Sequence, residues 1–391
     1  MADHPNVEIV SAENEQIPRS GHRLAIIGDV LYVIGGYNPE ADPPIRAEIK
    51  CYDLVRRQWL LEPSISGTRS PSMASHCADT YGRFILVHGG SELPFGTCNR
   101  RALYAFDTRT HHWSHVDAEL SDECCLPHGI YGHTMHVIED YIYLIGGTSA
   151  TEFYNSVYRF DLRAPVDESR WVTLFDEDEY GDPWERNQQA EEAAQDEQTP
   201  IGRYRHESVV FGRFIVMVGG GTAHGVFDVN NIYFFDTVHY RWLKKRASPS
   251  GPNAPVPLSR KCHSLNRIGQ YIYIFGGRGE EWSSHFGGQV PVNLDDMWRI
   301  KINPLNRPEN EYTPLDNVEL VWEYIGRMQY PVHFHASAVH RDSNKVFIFG
   351  GNTMKRQARA NQRRSVTARL ISGASLERTN KLSSFGEFTS N

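Results

Sequence analysis

Eighteen histidines are the side chains here that most invite chemistry, and spacing decides the meaning of six of them. His22, His76, His133, His206 and His263 each stand thirteen residues ahead of a Gly-Gly pair, and His335 stands fifteen ahead of the last. A residue that recurs at one position of a repeat makes the same local bond each time, so these six are expected to be structural rather than to converge on one ion. His111, His112 and His115, grouped around Trp113, are expected at the surface. Gly-x-Ser-x-Gly, HExxH, the P-loop and a strand-to-helix Gly-x-Gly-x-x-Gly are all missing. The expectation is a protein without catalysis, metal or cofactor. The chemistry that remains is anion binding. Arg203-Tyr204-Arg205 and Arg260-Lys261 put guanidinium forks and an ammonium beside aromatic rings, a mixture suited to a carboxylate.

The elements that carry these residues repeat. Six apolar runs end in glycine pairs: LYVIGG, FILVHGG, YIYLIGG, FIVMVGG, YIYIFGG and VFIFGG. A second strand-like stretch follows, often closing in aromatic-Asp and then tryptophan: Tyr52-Asp53 and Trp59, Phe106-Asp107 and Trp113, Phe160-Asp161 and Trp171, Phe235-Asp236 and Trp242. Four short strands per unit make a twisted antiparallel sheet with two apolar faces, and radial stacking covers both. The expected fold is all-β, a six-bladed propeller over 17–351. An acidic insertion at 176–199 cannot bury enough apolar surface to order itself and is expected as a loop. The basic tail, 352–391, is expected to hold little order, with one strand candidate at 365–371. Unit six lacks the aromatic-Asp and the tryptophan, so Val7–Val10, within the N-terminal segment 1–16, is expected to complete the last blade.

A net charge of -8 argues against a nucleic-acid surface. No apolar run approaches the roughly 18–20 residues that span a bilayer, so no membrane is expected. The six cysteines have no CxxC or disulfide-framework spacing, and MADHPNVEIV lacks the basic start and apolar core of a secretory signal. The cytoplasm is the expected compartment, with the basic tail admitting the nucleus.

The Gly-Gly, aromatic and tryptophan spacing resembles the kelch-repeat family across 17–351. RSGHR at 19–23, GGYNP at 35–39, PFG at 94–96, IYGHTM at 130–135, RYRHE at 203–207, GGGT at 219–222 and RKCHS at 260–264 look like the kelch receptors of a cullin-2 RING ubiquitin ligase. That resemblance implies recognition of protein C-termini ending in glycine, with basic side chains on the carboxylate. It also implies a binding face built from the residues after each Gly-Gly and those just before each histidine. On this chain those sets supply Arg203, Arg205, Arg260 and Lys261 as grips, Tyr131, Tyr204 and Phe334 as walls, and Tyr37 and Arg278 beside them. A relative's arginines after Gly-Gly have no match in GTAHGVF, and Lys261 stands where that relative has serine, so the grip must differ. Such receptors follow the propeller with a leucine-rich box for elongin and cullin, which is not visible in 352–391. The alternative is a kelch scaffold for signalling or cytoskeletal partners without C-terminal specificity.

Overall fold

In a computed structural model the described residues are 7–8, 19–62, 64–68, 73–97, 101–117, 126–164, 171–176, 198–302, 319–353 and 373–374. Nearly all regular structure is antiparallel strand. Blade one is Arg23–Ile27, Val30–Ile34, Ile49–Asp53 and Gln58–Trp59. Blades three and four begin at Thr134–Ile138 and Glu207–Phe211 and also have four strands each. Blades two and five begin at Cys77–Tyr81 and Ser264–Ile268 and gain a fifth, parallel edge from Ser66–Gly67 and Ser248–Pro249. No helix among the described residues is long and apolar enough to cross a membrane.

The repeated residues have concrete jobs. The second strand of blade four, Phe214–Val218, is buried on every residue, as a β-rich run facing two neighbours must be. Gly219 ends it with φ +66, and a Cβ there would lie 2.7 Å from the Arg260 carbonyl and 2.8 Å from the His263 ring. Gly220, φ +89, makes room in the same way for His206. One glycine therefore admits the next blade's histidine and the other its own blade's, which is why pair and histidine keep register. The aspartate of each aromatic-Asp caps the following turn: Asp53 accepts from Val55 and Arg56, and Asp236 from Val238 and His239. The tryptophan then packs on the preceding aromatic, with ring centroids 5.2 Å apart for Phe106–Trp113 and 5.1 Å for Phe160–Trp171.

Six blades were expected, the last completed by the N-terminal strand, and that needs correction, because five sheets are complete. Among the described residues the sixth unit contributes the inner hairpin Ala336–His340 with Lys345–Phe349, plus the short pair Val332–His333 with Asn352–Thr353. It has neither the capping aspartate nor the tryptophan that build outer strands elsewhere. The hairpin still closes the ring. Phe347 and Phe349 pack on Leu24, Leu31 and Trp59 of blade one, while Val346 and Ile348 pack on Tyr273 and Phe275 of blade five. Val7–Glu8 pairs antiparallel with Gly373–Ala374 and lies beside Lys345–Phe349. The acidic stretch from 177 to 197, the strand candidate at 365–371, and most of the tail lie outside the described residues.

Candidate functional site

A closed circle of backbone hydrogen bonds sits at one end of the central channel. It is made by the residue before each repeat histidine: Gly21, Ser75, Gly132, Arg205, Cys262 and Phe334. Each N–H donates to the carbonyl of the preceding member, from 2.6 Å for Ser75 to Gly21 up to 3.1 Å for Gly21 to Phe334. All six have φ between 56° and 66°. Four of them are not glycine, and each such residue costs about 1–2 kcal/mol in this conformation. Strain held at a mouth, rather than removed by glycine, points to side chains kept for use there.

One residue earlier in each unit, the chain bridges to the segment after Gly-Gly. The pairs are Ser20 with Tyr37, Ala74 with Ser91, Tyr131 with Thr148, Tyr204 with Gly221, Lys261 with Arg278 and His333 with Asn352. The two loop sets named from sequence therefore meet at the mouth. Arg205 is the centre of what they bring together. Its guanidinium carbon lies 4.2 Å from the Phe334 ring centroid, 5.1 Å from Tyr204 and 5.7 Å from Tyr131, and Nη1 donates to Ser75 Oγ at 3.1 Å. Lys261 stands beside it, its ammonium 5.5 Å from the Tyr204 ring and donating to the Thr222 carbonyl at 2.6 Å. Burial lowers the Lys261 pKa, with Cys262 and Glu280 opposing and Arg278 and Arg205 pushing the same way. His333 is held down to about 4 by burial and then by the same two arginines, so it stays neutral. No carboxylate forms an ion pair with Arg205 or Arg278 among the described residues. Tyr37 belongs to a separate part of the rim, edge-on to Phe95 at 4.9 Å.

Arg203 and Arg260 are not in this group. Three residues before the histidine the side chain turns under its own glycine pair, and both arginines are buried there. Arg203 Nη1 donates to the Gly219 carbonyl at 3.0 Å, and Arg260 Nη1 to Gly276 at 3.0 Å. Arg19 does the same to Gly35 at 2.9 Å. Asp296 grips Arg260 through both oxygens, at 2.6 and 2.8 Å. Arg203 instead lies over Phe227 and Tyr233, at 4.4 and 4.9 Å. Sequence carried the signal: Arg19, Arg203 and Arg260 recur at one repeat position, the same argument that made the histidines structural.

Phe95, 57% exposed on the rim, is missed from sequence, and Ser75, the hydroxyl that holds Arg205, belongs to the loop set before the histidines, where the sequence reading gives it no role. Beneath the circle, Arg23 and Glu207 face each other across the channel and pair at 2.7 Å. They come from blades one and four, so no local pattern announces them.

The profile described as the KLHDC2/KLHL20/DRC7 Kelch-repeats domain matches residues 21–277. Kelch domain-containing protein 10 of Xenopus laevis is 27% identical over 341 residues, covering 85% of this chain and 71% of the relative. The Homo sapiens protein of that name is 26% identical over 342 residues, 85% of this chain and 66% of the relative. A more distant match is the N-(sulfonatooxy)prop-2-enimidothioate sulfolyase of Thlaspi arvense, 24% identical over 277 residues. With the glycine pairs, blade histidines and aromatic-Asp turns placed as described, and the profile spanning more than half its length, the chain belongs to the kelch-repeat family.

Proposed function

We propose that this propeller is a non-catalytic recognition module whose mouth takes the free C-terminal carboxylate of a protein, Gly-ending tails above all, for ubiquitin-dependent degradation by a cullin-RING ligase. Arg205 carries the reading. Rings flank its guanidinium, Ser75 fixes one nitrogen, and the remaining edge meets no carboxylate among the described residues. Lys261 and Arg278, on the adjoining blade, add positive potential without neutralising it. A small last residue suits a guanidinium whose neighbours are Phe334, Tyr204 and Tyr131. The ligase coupling rests on the resemblance of RSGHR, IYGHTM, RYRHE and RKCHS to the cullin-2 receptors, and elongin with cullin-2 are the partners it implies.

The test is binding of Gly-ending peptides to the full chain, each as free acid and as C-terminal amide. Acid-only binding is the expected result. Equal binding of both forms would overturn the carboxylate reading and leave a scaffold that engages partners through the same aromatic rim.

A further inference from the structure

Among the described residues, the seam between blades two and three contains a cluster that the other seams do not. Where hydroxyls follow the repeat histidine, they reach the next blade's histidine: Thr134 Oγ1 lies 3.3 Å from His206 Nε2, and Ser264 Oγ 2.9 Å from His335 Nε2. In the blade-two seam Cys77 takes that place, with Sγ 2.8 Å from His133 Nε2. The residue before Gly-Gly is apolar in every other unit, namely Ile34, Ile145, Val218, Phe275 and Phe349. In this one it is His88, whose Nδ1 lies 3.1 Å from the same His133 Nε2. Both departures fall in one seam. The three ligand atoms lie within 4.8 Å of one another, and all three residues are buried.

Tautomers sharpen the case. His88 Nε2 lies 3.0 Å from the Arg101 carbonyl and so carries the proton, leaving Nδ1 a bare lone pair directed at His133. A carbonyl that fixes the outer nitrogen of an imidazole is the usual support of a metal-ligating histidine. His133 Nδ1 is buried without a partner among the described residues, so in the ion-free protein the ring proton sits on Nε2 and is shared with the His88 lone pair. A cation would take the place of that proton and of the thiol proton between the same three atoms.

We propose that Cys77, His88 and His133 form a three-coordinate site for a soft d10 ion, Cu(I) in preference to Zn(II). One thiolate and a monovalent ion sum to zero charge, which a dry interior accepts. Zn(II) would leave a net positive charge and calls for a fourth ligand, and the cluster among the described residues has three. Thiolate with imidazole is a donor set for soft ions. Loading breaks the Cys77 S–H bond, forms the metal–sulfur bond and releases one proton to solvent; no electron is transferred. The fully protonated alternative keeps the thiol, which donates to the His88 carbonyl at 3.4 Å, and gives His133 the Nε2–H tautomer.

The experiment is anaerobic Cu(I) titration of the reduced full chain against a chromophoric Cu(I) chelator. X-ray absorption of the product and a parallel Zn(II) titration accompany it. Expected are one tightly held Cu(I) with one sulfur and two nitrogen neighbours, and its loss in Cys77→Thr/His88→Ile, which installs the residues of the neighbouring seam. Cys51→Ser/Cys262→Ser, which removes two buried thiols elsewhere, should retain the ion. If the double variant fails to fold, Cys77→Thr alone restores a hydroxyl and is read in its place. No uptake, or equal uptake by the seam variant, overturns the site; tighter Zn(II) at the same residues overturns the choice of ion.

Discussion

A guanidinium held between aromatic rings keeps its charge while losing much of its water, so it binds a carboxylate more strongly than an arginine in bulk solvent. Arg205 is in that state, and Arg203, two positions away, is not. Replacing Arg205 with alanine is expected to weaken peptide-acid binding by about 2–5 kcal/mol with the melting point nearly unchanged. Replacing Arg203 with alanine should do the opposite. It removes the donor to Gly219 and leaves a void under the glycine pair, costing about 2–4 kcal/mol of stability while the binding of molecules still folded is kept. Calorimetric titration beside thermal melts separates the two, and a binding loss in Arg203→Ala with an unchanged melt would put that residue back in the mouth. The buried histidines set the acid limit. Burial pushes His335 down to about 3. Its folded pKa is below its unfolded value, so the unfolded chain binds the extra proton, and stability present above about pH 6.5 is lost as pH falls toward 3. Denaturant melts at pH 7 and pH 5 should show wild type losing about 2 kcal/mol more than His335→Gln. Equal losses would mean His335 is not held neutral in the fold.

At the scale of the element, the glycine pair, the histidine and the Asx-capped turn act together, and unit six shows what happens when the outer parts are missing. Its hairpin meets the blades on both sides but presents Lys345–Phe349 as an edge. Unpaired edges recruit strands, and Val7–Glu8 lies beside this one and pairs onward with Gly373–Ala374. We propose that the N-terminal strand closes the last blade in this way. Deleting residues 1–12 should lower the melting temperature by several degrees, since even 1–2 kcal/mol is a large share of a domain's stability. An unchanged melt would show that the inner hairpin alone closes the ring.

For the whole molecule, the overall charge and the charge of the mouth have opposite sign. The chain carries -8 overall, while Arg205, Lys261 and Arg278 gather at one end of the channel. A local positive field on an acidic body steers anions to one place and repels them elsewhere. Association of acid-ended peptides should therefore slow several-fold as salt rises from about 0.05 to 0.5 M, with dissociation changing less. Stopped-flow measurements at several ionic strengths check this; salt-independent association would mean that the three cations do not act as one field.

The propeller and its repeat register were legible in the sequence, because each rests on a spacing that backbone geometry imposes locally. Glycine pair to histidine, aromatic to aspartate, and aspartate to tryptophan all fall within a single unit. The count of complete blades was harder to read, since it depends on whether a sheet edge finds a partner from far along the chain. The two fates of Arg203 and Arg205 were legible only in part: Arg203 recurs with Arg19 and Arg260 at one repeat position, but burial of that position shows only in the folded chain. Positions two apart at a strand entry differ in whether they turn under the glycine pair or over the mouth, and the left-handed turn at Arg205 decides it. Contacts between blades, such as Arg23 with Glu207 or Cys77 with His133, join residues 184 and 56 positions apart. Only the packing of blades around the ring brings them within bonding distance.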